Sequence, residues 1–194
     1  ISVLWHFIFT AICMGIVISG VRKGLEHWSK FMMRILVVLL LGLFLYCLGL
    51  DGWKQAAHFL FYPDPSRFTM SSLLEALGLA FFTMSLGQGI MISYGSYMKK
   101  ETSVVGMAAI VGIAVLVIAM LASMIIFPVI FSFNVPAGEG IGLVFQTLPF
   151  LFGKLPGSLV IATAFFILFV FAGITSAIPM VEVISTNLME LFYF

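Results

Sequence analysis

Charged side chains are nearly missing from this sequence. Asp, Glu, Lys and Arg make up 9% of its 194 residues, against about a quarter in a soluble domain. With 62% hydrophobic residues and a mean hydropathy of +1.22, the chain reads as an all-α integral membrane protein. A net charge of +1 leaves no basic patch for a nucleic acid. Cysteine is scarce as well. Cys13 and Cys47 both sit in apolar runs, as small core residues rather than a disulfide or a metal pair. The histidines fall in separate segments, and neither His-Glu-x-x-His nor Gly-x-Ser-x-Gly occurs. No enzyme is expected.

What is there is a series of long apolar runs. Spans are expected at about 1–19, 35–50, 70–97, 103–127 and 157–181. His6, within the first, reads as a satisfied interior or interfacial residue. Gly20 to Arg34 is too charged to cross, and the second span lengthens if its preceding turns are helical. Asp51 to Arg67 is a polar loop, where Pro63 and Pro65 forbid a continuing helix. Phe127-Pro128 closes the fourth span. Residues 129–156 form an extracellular lid loop, with Ile141 to Leu148 a short helix dipping onto the protein. From Glu182 a cytoplasmic amphipathic piece begins. The chain starts inside an apolar run at Ile1 and stops at Leu191-Phe192-Tyr193-Phe194, so a piece of a longer protein is expected. Six Lys and Arg (Arg22, Lys23, Lys30, Arg34, Lys99, Lys100) lie in the first and third connections. Three (Lys54, Arg67, Lys154) lie in the second and fourth. That asymmetry puts the first and third connections in the cytoplasm.

The third span is interrupted by Ser85-Leu86-Gly87-Gln88-Gly89. Two glycines around a glutamine weaken a helix where lipid tolerates no unpaired backbone group. One reading is a broken helix, whose first half aims carbonyls and whose second half aims amides at a bound solute. The other is a glycine packing pair in an intact helix. Gly87-Gln88-Gly89 is followed by no Lys-Ser or Lys-Thr, so it is no phosphate loop.

In the fifth span, Thr175 and Ser176 put two hydroxyls into apolar surroundings, on one face with Ala172. Pro179 lacks an amide donor and clashes with the carbonyl of residue 175, four before it. A freed carbonyl beside two hydroxyls makes an all-oxygen set suited to a hard cation. Alternatively the hydroxyls bond back to carbonyls of the preceding turn. Thr83 and Ser85 could add hydroxyl oxygens at the break. Glu75 and Glu182 read as interfacial or salt-bridged carboxylates, and Tyr94 and Tyr97 as interfacial anchors.

Phe81-Phe82-Thr83-Met84-Ser85-Leu86-Gly87-Gln88-Gly89 and Phe171-Ala172-Gly173-Ile174-Thr175-Ser176 together resemble the neurotransmitter:sodium symporter family, especially its bacterial amino-acid transporters. Gly24-Leu-Glu-His-Trp-Ser-Lys, Ile126-Phe127-Pro128 and Thr147-Leu148-Pro149 support the likeness, which covers essentially the whole chain. The resemblance implies five transmembrane helices, the fourth to eighth, of an inverted-repeat sodium symporter fold, with one helix broken at 85–89. It implies a sodium-coupled secondary transporter of a small zwitterionic substrate, an amino acid, in the cell inner (plasma) membrane. The remaining helices of the same transporter and the lipid bilayer are its implied partners. The substrate would be held by Phe82, Ser85, Gln88, Ser176, Ala177 and Met180. Phe82 would close the outer side, and Tyr97 would belong to the cytoplasmic gate. Ala172, Thr175 and Ser176 would form the second sodium site and Thr83 part of the first. Gln88 stands where several relatives are aromatic, which implies a more polar side-chain preference. On this reading the isolated piece neither binds nor transports, because half of each site lies on other helices.

Two positions depart from the family pattern. Counted back without gaps from Pro128, the Asn or Asp of the first sodium site falls on Val115, and Val111 to Leu121 offers no polar side chain. Arg34 stands ten residues after Gly24, where the family often has, after nine intervening residues, a proline that aids cytoplasmic unwinding. These departures favour the alternative of a non-transporting sensor or structural relative with the same fold.

Overall fold

The computed structural model describes residues 2–19, 26–62, 64–99, 101–135 and 142–192. Arg22, Lys23, Gly24, Pro63, Lys100, residues 136–141 and Tyr193-Phe194 lie outside them. Among the described residues all regular structure is helical. The helices are α1 (Ser2–Ile18), α2 (His27–Cys47), α3 (Trp53–Phe61), α4 (Met70–Thr83) and α5 (Ile90–Ser96), then α6 (Val104–Ser132), α7 (Leu148–Phe152) and α8 (Ser158–Phe192). A 3-10 turn, Pro65–Arg67, precedes α4, and a π turn, Leu143–Thr147, runs into α7.

Three of these, α2, α6 and α8, are long and apolar enough to cross a membrane. The 17 residues of α1 reach about 25 Å at 1.5 Å each.

Several boundaries differ from those expected. The second span begins at His27, eight residues early, because the Lys30 ammonium reaches back 2.6 Å to Glu26 and both side chains stay exposed. Such a pair adds only a few tenths of a kcal/mol, but long cationic stems let a charged first turn ride above lipid. Arg34 therefore belongs to the helix and not to a connector. The polar loop after Asp51 contains α3, with Ala56 fully buried. Phe127-Pro128 does not close the fourth span, since α6 continues to Ser132. The 129–156 segment is thus partly the end of α6. Likewise α8 runs unbroken through Pro179 to Phe192, so Glu182 opens no separate piece. In both helices the proline removes one backbone bond without ending the helix, a cost that membrane helices tolerate when neighbouring groups resatisfy the backbone.

The chain divides into two compact units. Residues 37–79 and 103–168 form one, and residues 1–36, 80–102 and 169–194 the other. In the first, Leu40, Leu43 and Cys47 on one stripe of α2 meet Ile125, Val129 and Ile130 of α6 and the α7 residues Leu148, Leu151 and Phe152. The Cys47 thiol points to the Ile125 carbonyl, 3.5 Å away. The Tyr46 hydroxyl donates to the Pro156 carbonyl at 3.0 Å, which ties α2 to the turn before α8. In the second unit, Cys13 of α1, Met32 of α2 and Ile174 and Ile178 of α8 are buried together. Both cysteines are buried and free, as core residues.

Candidate functional site

The interruption expected at 85–89 is a true break in the helix, between Thr83 and Ile90. The last turn of α4 closes by a double bond pattern: Leu86 N–H reaches the Phe81 carbonyl and Ser85 N–H the Phe82 carbonyl, each at 3.0 Å. This closure needs a left-handed residue between the two donors and the helix body. Ser85 takes that conformation, with φ 53°. Such a φ is uncommon for a side chain with a Cβ, and it accumulates at functional sites. Gly87 (φ 83°) and Gly89 (φ 78°) then carry the chain through two more left-handed positions before α5 begins. The packing-pair reading of the glycines is therefore set aside.

The consequence is an interruption of the helical hydrogen-bond ladder. Regular helical bonding lapses here: after Leu86 N–H has bonded Phe81 O, the next helical donors are Ile92 and Ser93, which both reach the Gly89 carbonyl at 3.1 Å. Phe82, Leu86, Gly87 and Gln88 are exposed, and Met84 and Ser85 are half-buried. The hydroxyl of Thr83 donates to the Ala80 carbonyl at 3.1 Å, in its own helix. A Cβ on Gly89 would lie 3.4 Å from Val183 Cγ1, so α5 starts in close contact with α8.

On α8 the two faces differ sharply. Ile174, Ile178 and Glu182, four apart, are buried. Ser176, Met180 and Ile184 on the opposite side are exposed. The Thr175 hydroxyl lies 2.9 Å from the Phe171 carbonyl and 3.0 Å from the Ala172 carbonyl. The back-bonding alternative is thus realised, yet it does not remove the oxygens. A threonine that gives its proton to Phe171 still turns lone pairs outward beside the Ala172 carbonyl. Ala172 O, Thr175 Oγ1 and the exposed Ser176 hydroxyl offer oxygen alone, without nitrogen or net charge. That donor chemistry fits a hard, weakly charged cation and not a transition metal. No cluster of three His, Cys, Asp or Glu side chains that could hold a metal exists among the described residues. Ala177 packs against the cluster around Cys13 and so faces the core. Among the described residues, no hydrogen bond links residues 82–88 to residues 172–180.

Tyr97 and Glu182 are brought together. The Tyr97 hydroxyl donates to Glu182 Oε1 at 3.2 Å, joining the end of α5 to α8. Glu182 is only 7% exposed and forms no ion pair with a described residue. The signal was present in the sequence: Glu182 continues the stripe of Ile174 and Ile178 at helical spacing. Glu75 is exposed and accepts from Ser71 Oγ at 3.3 Å. Val115 lies half-buried in the middle of α6.

Against known proteins, residues 2–194 match the family model described as the Sodium:neurotransmitter symporter family. An uncharacterized sodium-dependent transporter, YhdH of Bacillus subtilis, is 39% identical over 94% of this chain and 41% of its own length. One from Haemophilus influenzae is 34% identical over 97% of this chain and 41% of its own. Among solved structures, the crystal structure of MhsT in complex with L-phenylalanine superposes with a TM-score of 0.83 at 37% identity. That match covers 98% of this chain and 44% of the other. The chain thus spans about two-fifths of the length of the relatives it matches.

Proposed function

Because this chain belongs to the sodium:neurotransmitter symporter family, a family of multi-pass membrane proteins, we propose that it supplies the fourth to eighth helices of a sodium-coupled amino-acid symporter. The substrate is a small zwitterion, and access alternates between the two sides. The observation that carries this reading is the lapse of helical bonding between α4 and α5, where backbone carbonyls and amides leave the helical ladder at three left-handed residues. A membrane interior tolerates such a lapse only where the groups line a polar cavity or bind a ligand. Ser85, Gln88 and the backbone amides of the break hold the substrate, with Phe82 over it and Ser176 and Met180 on α8. The Ala172 carbonyl and the hydroxyls of Thr175 and Ser176 hold one sodium ion, and oxygens from the rest of the transporter complete its shell. Thr83 is left with little to do at a first site, because Val115 cannot ligate a cation. Coupling then uses one sodium. Sodium drives the cycle by binding one access state more tightly than the other.

Ala177 is not part of this pocket, since it is packed inward. The Tyr97–Glu182 bond keeps α5 against α8 on the cytoplasmic side and opens when that side opens. Val115 and Arg34 are the residues that favour a non-transporting relative. Uptake of a labelled amino-acid mixture by the full-length protein in proteoliposomes separates the two readings. Accumulation with external sodium, absent with potassium or choline, is expected. Equal uptake with all three cations, or none with any, would overturn the symporter reading.

A further inference from the structure

A short helix in a loop needs a reason to be ordered, and α3 has only nine residues. Its anchor is a backbone-to-backbone approach at Gly52. A Cβ there would stand 2.3 Å from the Pro128 carbonyl oxygen and 2.5 Å from the Ser132 amide. Only glycine allows this approach, and its φ of −72° is ordinary, so the requirement is steric. The contact is also a hydrogen-bond relay. Gly52 N–H donates to Ser132 Oγ at 2.9 Å, and Ser132 Oγ–H donates to the Pro128 carbonyl at 2.7 Å. One turn further along, Ala56 is fully buried. Phe59 sets its ring against Phe127 at 5.0 Å and Phe131 at 5.6 Å between centroids. At the start of α3, Trp53 meets Phe44 of α2 edge-on at 5.5 Å.

Between α3 and α4 the described residues 64–69 are locally braced. Asp64 Oδ1 accepts from both the amide and the hydroxyl of Ser66. Thr69 Oγ1 accepts from Ser72 N–H at 3.1 Å and lies 2.8 Å from the Ser72 hydroxyl, which caps the first turn of α4. These bonds let a displacement of residues 64–69 pass on to the first turn of α4.

The geometry points to α3 as a strut that ties the Met70 end of the broken helix to the Ser132 end of α6, so that this end of α4 moves only when α3 lifts off. This goes beyond the transport reading and does not depend on it, since the contacts stand whatever the ligand. Hydrogen–deuterium exchange of the full-length protein, without substrate or sodium, tests it. Gly52→Ala is expected to raise exchange in 53–61 about tenfold and to raise 70–79 with it. Exchange in 104–123 and 159–179 stays unchanged. Release of 53–61 with 70–79 still protected overturns the strut, and so does a uniform rise across all segments. Should Gly52→Ala fail to fold, Ser132→Ala removes the relay without a collision. A rise of about threefold in both segments is then expected; no change in either, or a rise in 53–61 alone, overturns the proposal.

Discussion

Replacing Thr175 with valine separates the fold from the ion. The side chain keeps nearly its shape and loses one oxygen. In the folded protein that oxygen's proton is held by the Phe171 or Ala172 carbonyl, at 2.9 and 3.0 Å. Both carbonyls keep their helical amide partners within α8, so no buried acceptor is stranded. The loss of stability falls at the lower end of about 0.5–1.5 kcal/mol for one hydrogen bond. For a bound cation the loss is larger, because a contact to a charge is worth about 1.5–3 kcal/mol. At 1.4 kcal/mol per decade, the sodium concentration for half-maximal uptake should rise about 10- to 150-fold. The assay is sodium-dependent amino-acid uptake by full-length Thr175→Val in proteoliposomes, beside a thermal melt to confirm folding. Thr175→Ser, which retains the oxygen, should stay close to the parent. A well-folded valine variant whose half-saturating sodium shifts less than about threefold would refute the placement of the ion on this hydroxyl.

Gly89→Ala should cost more stability than Gly87→Ala in thermal melts. Both carry the strain of an L-residue in the left-handed region, about 1–2 kcal/mol, but only the Gly89 Cβ meets a neighbour, Val183, at 3.4 Å. Equal losses would show that the α5–α8 contact is not tight. Tyr97→Phe leaves the buried Glu182 carboxylate without its hydroxyl partner and should lower stability by about 1–3 kcal/mol. Glu182→Gln in the same background should recover part of it, and no recovery would show that the charge is not the cause. Val115→Asn adds an amide oxygen to an otherwise apolar stretch of α6, and should raise the sodium Hill coefficient above one. An unchanged coefficient in a well-expressed variant counts against Val115 as the site of the lost ligand.

The break is legible in the sequence because Gly87 and Gly89 flank a polar Gln88 inside an apolar run, where an intact helix would gain little from any of the three. What the sequence hides is that Ser85, not a glycine, takes the left-handed position that ends α4. Nothing about serine advertises this, because the closing bonds to Phe82 and Phe81 are made by the backbone amides of Ser85 and Leu86, not by a side chain. The helix end expected at Pro128 fails for a general reason. A proline removes one donor, and the surrounding helix turns outweigh that loss when water is not there to compete. The charge of Glu182 suggests an interface, although its position on the stripe through Ile174 and Ile178 points inward. Helix α3 is hard to see in the sequence because its order comes from a distant contact at Pro128 and Ser132, not from its own nine residues.

The length of α8 has a mechanical consequence. Thirty-five residues make a rod about 52 Å long, well beyond the apolar slab of about 30 Å, and Thr175 is its eighteenth residue, the midpoint. A rod rocking about its middle through about 10° sweeps each tip by about 4–5 Å and leaves its centre almost still. Ala172, Thr175 and Ser176 lie at that fulcrum, so on the symporter reading proposed above their oxygens would shift least as the helix tilts.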